Sequence, residues 1–104
     1  MQYRIGFGYD VHRLEPGLPF KLGGVSIDHD RGPAGHSDAD GLIHAICDAL
    51  LGAAALGDIG QHFPDTSSEF RGIDSLILLE HTIGMLSERG YSINNIDTTI
   101  CLQE

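Results

Sequence analysis

The sequence predicts an α+β fold: a single domain with a mixed β-sheet and helices packed on one of its faces. Three observations predict it. From Tyr3 to Leu14 apolar residues alternate with polar or small ones, the period of a half-buried strand. From Asp40 to Leu56 and from Asp74 to Gly90 the apolar residues recur instead with a helical period. Between the strand and the first of these helices, Phe20-Lys21-Leu22 and Val25-Ser26-Ile27 flank Gly23-Gly24, the pattern of a hairpin closed by a two-residue turn. At 104 residues the chain suffices for one hydrophobic core and is too short for two.

The elements follow in order. In the first stretch Tyr3, Ile5, Phe7, Tyr9 and Val11 share one face, expected to lie against the core. The other face carries Arg4, Gly6, Gly8, Asp10 and His12. Its two glycines leave it bare, which often marks close approach by a ligand or another backbone. Glu15-Pro16-Gly17 is expected to turn the chain, and residues 28–35 to form a polar surface loop. The next helix is expected to open on Ser37 and Asp40, a pair spaced like a capping box, and to stop near Gly57. Residues 58–66 read as an irregular loop of the kind that carries function. The second helix is expected to be capped by Asp74, closed by Gly90, and to bury Leu76, Leu79, Ile83 and Leu86. Residues 92–102 read as a last strand with Ile96, Thr98, Ile100 and Leu102 on one face.

Composition narrows the function. A net charge of -9 with only six Lys and Arg excludes a surface for the phosphate backbone of a duplex. An anionic substrate would need a metal ion or backbone N–H groups to supply positive field. Cys47 and Cys101 have no paired spacing, so they read as free thiols in a reducing cytoplasm. The longest apolar run, residues 49–56, is far too short for a bilayer, and residues 1–6 lack a signal-peptide layout. The expectation is a cytoplasmic protein with neither nucleic acid nor membrane as partner.

Asp10 and His12 are two apart on a strand, so both point to the same side. His44 lies on the helix expected to pack nearby. Two imidazoles and one carboxylate, with no fourth protein ligand in view, match a catalytic zinc site that keeps one position open. The same residues also suit a solvated strand face and an ordinary capped helix. Asp40 and Asp48, each one turn from His44, read as partners behind that imidazole. His29, His62 and His81 read as surface residues, and no dinucleotide-binding glycine pattern is present.

Taken together, Gly6-x-Gly8-x-Asp10-Val11-His12, Gly35-His36-Ser37-Asp38-Ala39-Asp40, His44 and residues 56–66 (Leu-Gly-Asp-Ile-Gly-x-x-Phe-Pro-Asp-Thr) closely resemble one family. It is the 2-C-methyl-D-erythritol 2,4-cyclodiphosphate synthase family of the non-mevalonate isoprenoid pathway. The resemblance implies that Asp10, His12 and His44 hold Zn2+. It implies that His36 and Ser37 contact substrate phosphate, and that Asp58 holds the methylerythritol hydroxyls, with His36 and Asp58 the catalytic pair. Asp10, His12, Ile59, Gly60, Phe63 and Asp65 would complete the substrate pocket.

The implied reaction is intramolecular. A phosphate on the methylerythritol attacks the β-phosphate of a cytidine diphosphate arm, closing the cyclic diphosphate and releasing CMP. Zinc would act as Lewis acid, and Mg2+ or Mn2+ as a second ion on the phosphates. The family is a homotrimer with sites between neighbouring subunits. Relative to it, the chain is expected to lack the C-terminal third, with its cytidine loop and Thr-Thr-x-Glu stretch, and to turn over poorly alone. Two other readings stay open: a metal-dependent phosphohydrolase that activates water, and a zinc-binding fragment whose site only helps hold the fold.

Overall fold

The computed structural model describes residues 2–34, 39–64 and 73–101. Its class is α+β. In order the elements are β1 (Leu14–Pro16), β2 (Phe20–Leu22), β3 (Val25–Ile27), β4 (Arg31–Pro33), α1 (Gly41–Ala53), α2 (Ile59–His62) and α3 (Ser75–Glu88).

The expected hairpin is present. β2 and β3 pair antiparallel with Phe20 opposite Ile27 and Leu22 opposite Val25. Gly23 and Gly24 both take positive φ, 63° and 82°, as a primed turn requires. A second ladder is new: β1 pairs antiparallel with β4, Leu14 opposite Pro33. Arg31–Pro33 is thus a strand where a loop was expected, and Pro16 ends β1 before the turn at Gly17. Gly32 makes this possible, because a Cβ there would collide with the carbonyls of Leu18 and Pro19.

α1 starts at Gly41 with Asp40, not Ser37, as its cap: the Asp40 carboxylate accepts the Ile43 N–H at 3.1 Å. The same carboxylate accepts the Gly23 and Gly24 N–H groups at 2.9 and 2.7 Å, tying the hairpin to the helix start. Ser37 lies outside the described residues. α3 runs as expected, with Asp74 accepting the Leu76 N–H and Gly90 at φ 80° just past its end.

Two expectations are overturned. Residues 2–13 and 92–101 have no ladder partner among the described residues. The first of these segments also presents its faces the other way round. Gly6 and Gly8 press on α1, where a Cβ would run into the carbonyls of Ala49 and Ala45. Tyr3, Ile5, Phe7, Tyr9 and Val11 face outward, 69 to 94% exposed. Alternation decides which residues share a face; bare glycine backbone decides which face a helix can approach.

The buried stripe of α3 is Ser75, Leu78, Thr82 and Leu86, while Leu76 and Ile83 are exposed. Both polar residues on the stripe are satisfied. Thr82 donates to the Leu78 carbonyl at 2.9 Å, and Ser75 meets His44. α3 therefore packs on α1 about Ile43, Cys47 and Leu78, with Ile59, Phe63, Ile73 and Leu79 at the margin. Truncating Leu78 to Ala in such a core costs about 2–5 kcal/mol. No helix among the described residues is long and apolar enough to cross a membrane.

Candidate metal centre

Packing of the Gly6–Gly8 segment on α1 carries Asp10 and His12 to the first turn of that helix, where His44 is buried. Asp10 Oδ2 and His12 Nε2 lie 2.6 Å apart, and His44 Nδ1 is 3.5 Å from the same carboxylate oxygen. The two imidazole rings meet edge to face with centroids 5.6 Å apart. One donor atom from each residue falls within a 4.8 Å cluster.

The far side of each imidazole is already engaged. His12 Nδ1 meets the Ala34 carbonyl at 2.8 Å. A carbonyl can only accept, so Nδ1 carries the proton and Nε2 turns its lone pair inward. His44 Nε2 meets Ser75 Oγ at 2.9 Å, leaving Nδ1 toward Asp10.

A cation fits the inner side. Asp10 Oδ2 and His12 Nε2 are buried, their approach is not aligned as a hydrogen bond, and neither has a hydrogen-bond partner among the described residues. Most buried polar atoms are paired, so these two call for a further partner, and a cation suits both. Gly41 borders this space: a Cβ there would stand in ordinary contact, 3.5 Å from Asp10 Oδ2 and 3.7 Å from the His12 ring. Two nitrogens and a carboxylate oxygen form a donor set for a borderline divalent metal with an open position. Cys47 is no part of it: burial pushes its thiol up to about 11, against a partly offsetting contact with Thr82.

Electrostatics agree. Partial burial alone would raise Asp10, but contact with His12 and His44 outweighs it and holds the carboxyl down at about 2. His12 is raised by its contact with Asp10, against the opposing pull of burial. At neutral pH the carboxylate is ionised, as a ligand must be.

Asp58 lies at the next corner. It caps α2 by accepting the Gln61 N–H at 3.0 Å, and Asp48 of α1 accepts the neighbouring Ile59 N–H at 2.8 Å. Gly60 leaves room for the Asp58 carboxylate, as a Cβ there would stand only 3.3 Å from it. Phe63 lies half-buried at the core margin, between the rings of His62 and His81. His36, Ser37 and Asp65 lie outside the described residues.

Asp40 and Asp48, read from the sequence as partners of His44, bond backbone N–H groups of the hairpin, α1 and α2. The group at His44 Nε2 is Ser75. Sequence reasoning missed it because a serine beside the helix cap Asp74 looks like ordinary capping chemistry.

A profile of the YgbB family matches residues 3–104. This chain belongs to the YgbB family. Its YgbB-family relatives include the 2-C-methyl-D-erythritol 2,4-cyclodiphosphate synthase of Syntrophobacter fumaroxidans, 62% identical over 97% of this chain and 64% of that protein. Among solved structures, one titled 2C-methyl-D-erythritol-2,4-cyclodiphosphate synthase matches with TM-score 0.79 and 47% identity. The match covers 84% of this chain and 58% of that one. The CDP complex of Plasmodium falciparum IspF matches with TM-score 0.72 and 35% identity over 88% and 55% of the two chains. This YgbB-family chain thus spans 64% of the length of the curated relative.

Proposed function

We propose that residues 1–104 form one cyclodiphosphate synthase-like domain that supplies the metal and methylerythritol part of the active site. The reaction is cyclisation of 4-diphosphocytidyl-2-C-methyl-D-erythritol 2-phosphate to the 2,4-cyclodiphosphate with release of CMP, a phosphorus–oxygen lyase step of non-mevalonate isoprenoid synthesis. The convergence of Asp10, His12 and His44 in a YgbB-family chain carries this reading. The names of its relatives and the CDP bound by a structural neighbour support it.

In this reading Asp10 Oδ2, His12 Nε2 and His44 Nδ1 hold Zn2+. When bound, the ion supplies Lewis acidity toward a phosphoryl oxygen, with Mg2+ or Mn2+ as a further ion on the phosphates. Asp58, steadied by Asp48 through the Ile59 N–H, orients the polyol from the α1–α2 corner with Ile59, Gly60 and Phe63, and Asp65 is assigned to the same pocket by the family resemblance. His36 and Ser37 receive phosphate. Both the attacking and the leaving group belong to the substrate, so the protein's work is positioning and charge stabilisation.

The exposed apolar stripe Tyr3, Ile5, Phe7, Tyr9 and Val11 supports assembly as a homotrimer. The free Cys47 and Cys101 agree with a cytoplasmic location.

Zinc content and product analysis test the proposal. Chelator-washed, reconstituted protein should hold one Zn2+ per chain, and folded His44→Ala nearly none; a folded parent without zinc refutes the metal reading. Phosphorus NMR of a protein carrying the family's full length should show cyclic diphosphate and CMP, whereas open-chain products would mark a phosphohydrolase. Residues 1–104 alone should turn over poorly, and a normal rate from them refutes the division of labour proposed.

A further inference from the structure

We propose that Ser75 is a positioning residue for His44, holding the imidazole with Nδ1 presented to the metal; this rests on the metal reading above. His44 and Ser75 are both buried, 8% and 0% exposed, and come from sequence positions 31 apart to a contact of 2.9 Å. Capping does not explain Ser75, because Asp74 already takes the Leu76 N–H at the start of α3. A serine fully buried on a helix face otherwise lined by Leu78, Thr82 and Leu86 needs another reason.

The hydroxyl supplies one. The partner of His12 is a carbonyl, which accepts only and fixes that ring's tautomer. Ser75 Oγ can accept or donate. Without a cation, and with Nδ1 toward the Asp10 carboxylate 3.5 Å away, the imidazole proton belongs on Nδ1 and Ser75 donates to Nε2. With Nδ1 giving its lone pair to a cation, the proton belongs on Nε2 and Ser75 accepts it. The ring stays paired in both states and need not turn. Alanine at 75 takes that hydroxyl away from Nε2 whichever tautomer is present.

The test uses Co2+ in place of Zn2+, read by its visible absorption band and by competition with a chelator, on folded protein. Ser75→Ala should weaken Co2+ binding about 10- to 100-fold and shift the band, while the metal-free protein melts within a few degrees of the parent. Ser75→Thr, which keeps the hydroxyl, should restore binding to within about threefold of the parent. A measurement without any variant stands beside these. In the zinc-loaded parent, long-range proton–nitrogen spectra should place the His44 proton on Nε2, and a proton on Nδ1 overturns the proposal. Parent affinity and spectrum in Ser75→Ala, when His44→Ala has lost binding, overturn the role of Ser75 alone. A parent that binds no Co2+, or binds it undiminished in His44→Ala, overturns the metal centre and this role with it.

Discussion

Asp10 sits against two imidazoles, so in the metal reading proposed above proton and metal would compete for the same three donors. Without metal, the lowered Asp10 contributes stability above its ordinary 3.8 and loses it as pH falls through about 2. The raised His12 contributes fully below its ordinary 6.5 and loses that contribution as pH rises through its higher folded value. The pair therefore stabilises metal-free protein most between about pH 4 and 6.5. Urea midpoints of chelator-treated parent and Asp10→Asn should differ most in that window and converge above it. A gap that widens from pH 6 to 8 would contradict this assignment.

At the scale of elements, α1 organises the molecule. Its first turn holds the hairpin through Asp40, its buried face takes α3, and its open side receives the bare backbone of residues 6–8. The last contact positions Asp10 and His12 and tolerates no side chain. Gly8→Ala drives a methyl into the Ala45 carbonyl and should destabilise the fold by about 1–3 kcal/mol, with a parallel fall in metal affinity. Gly52→Ala, in the same helix with nothing within 4 Å, should stabilise by up to about 1 kcal/mol and leave metal binding unchanged. Thermal melts and metal titrations of the two variants check the contrast. Equal effects would mean that the segment does not rest on α1.

At the scale of the whole molecule, an apolar stripe among the described residues lies on the outside. Ile5 is 94% exposed and Phe7 82%, flanked in the stripe by Tyr3, Tyr9 and Val11. Monomers rarely leave such a face open. If it is the subunit contact proposed above, Ile5→Asp should shift the sedimentation of the assembled protein toward monomer while its far-ultraviolet circular dichroism holds. A parent that sediments as monomer at micromolar concentration would remove that role.

Local chemistry was legible in the sequence. The hairpin followed from paired glycines between apolar triplets, α3 from Asp74 and Gly90, and the α+β class from two distinct hydrophobic periods, all set within a few residues. Asp10, His12 and His44 could be nominated because strand and helix spacing dictates which side chains point together. Tertiary packing alone decided the rest. Periodicity counts apolar side chains, so it assigned the aromatic face of residues 3–11 to the core and missed that bare glycine backbone fits a helix more closely. It likewise set Leu76 and Ile83 inward on α3, when Ser75 and Thr82, once hydrogen-bonded, bury better. The partners that orient the two imidazoles, Ala34 and Ser75, lie 22 and 31 residues from their histidines. Only folding brings a carbonyl and a hydroxyl across such spans, because neither carries a local pattern that points to its partner.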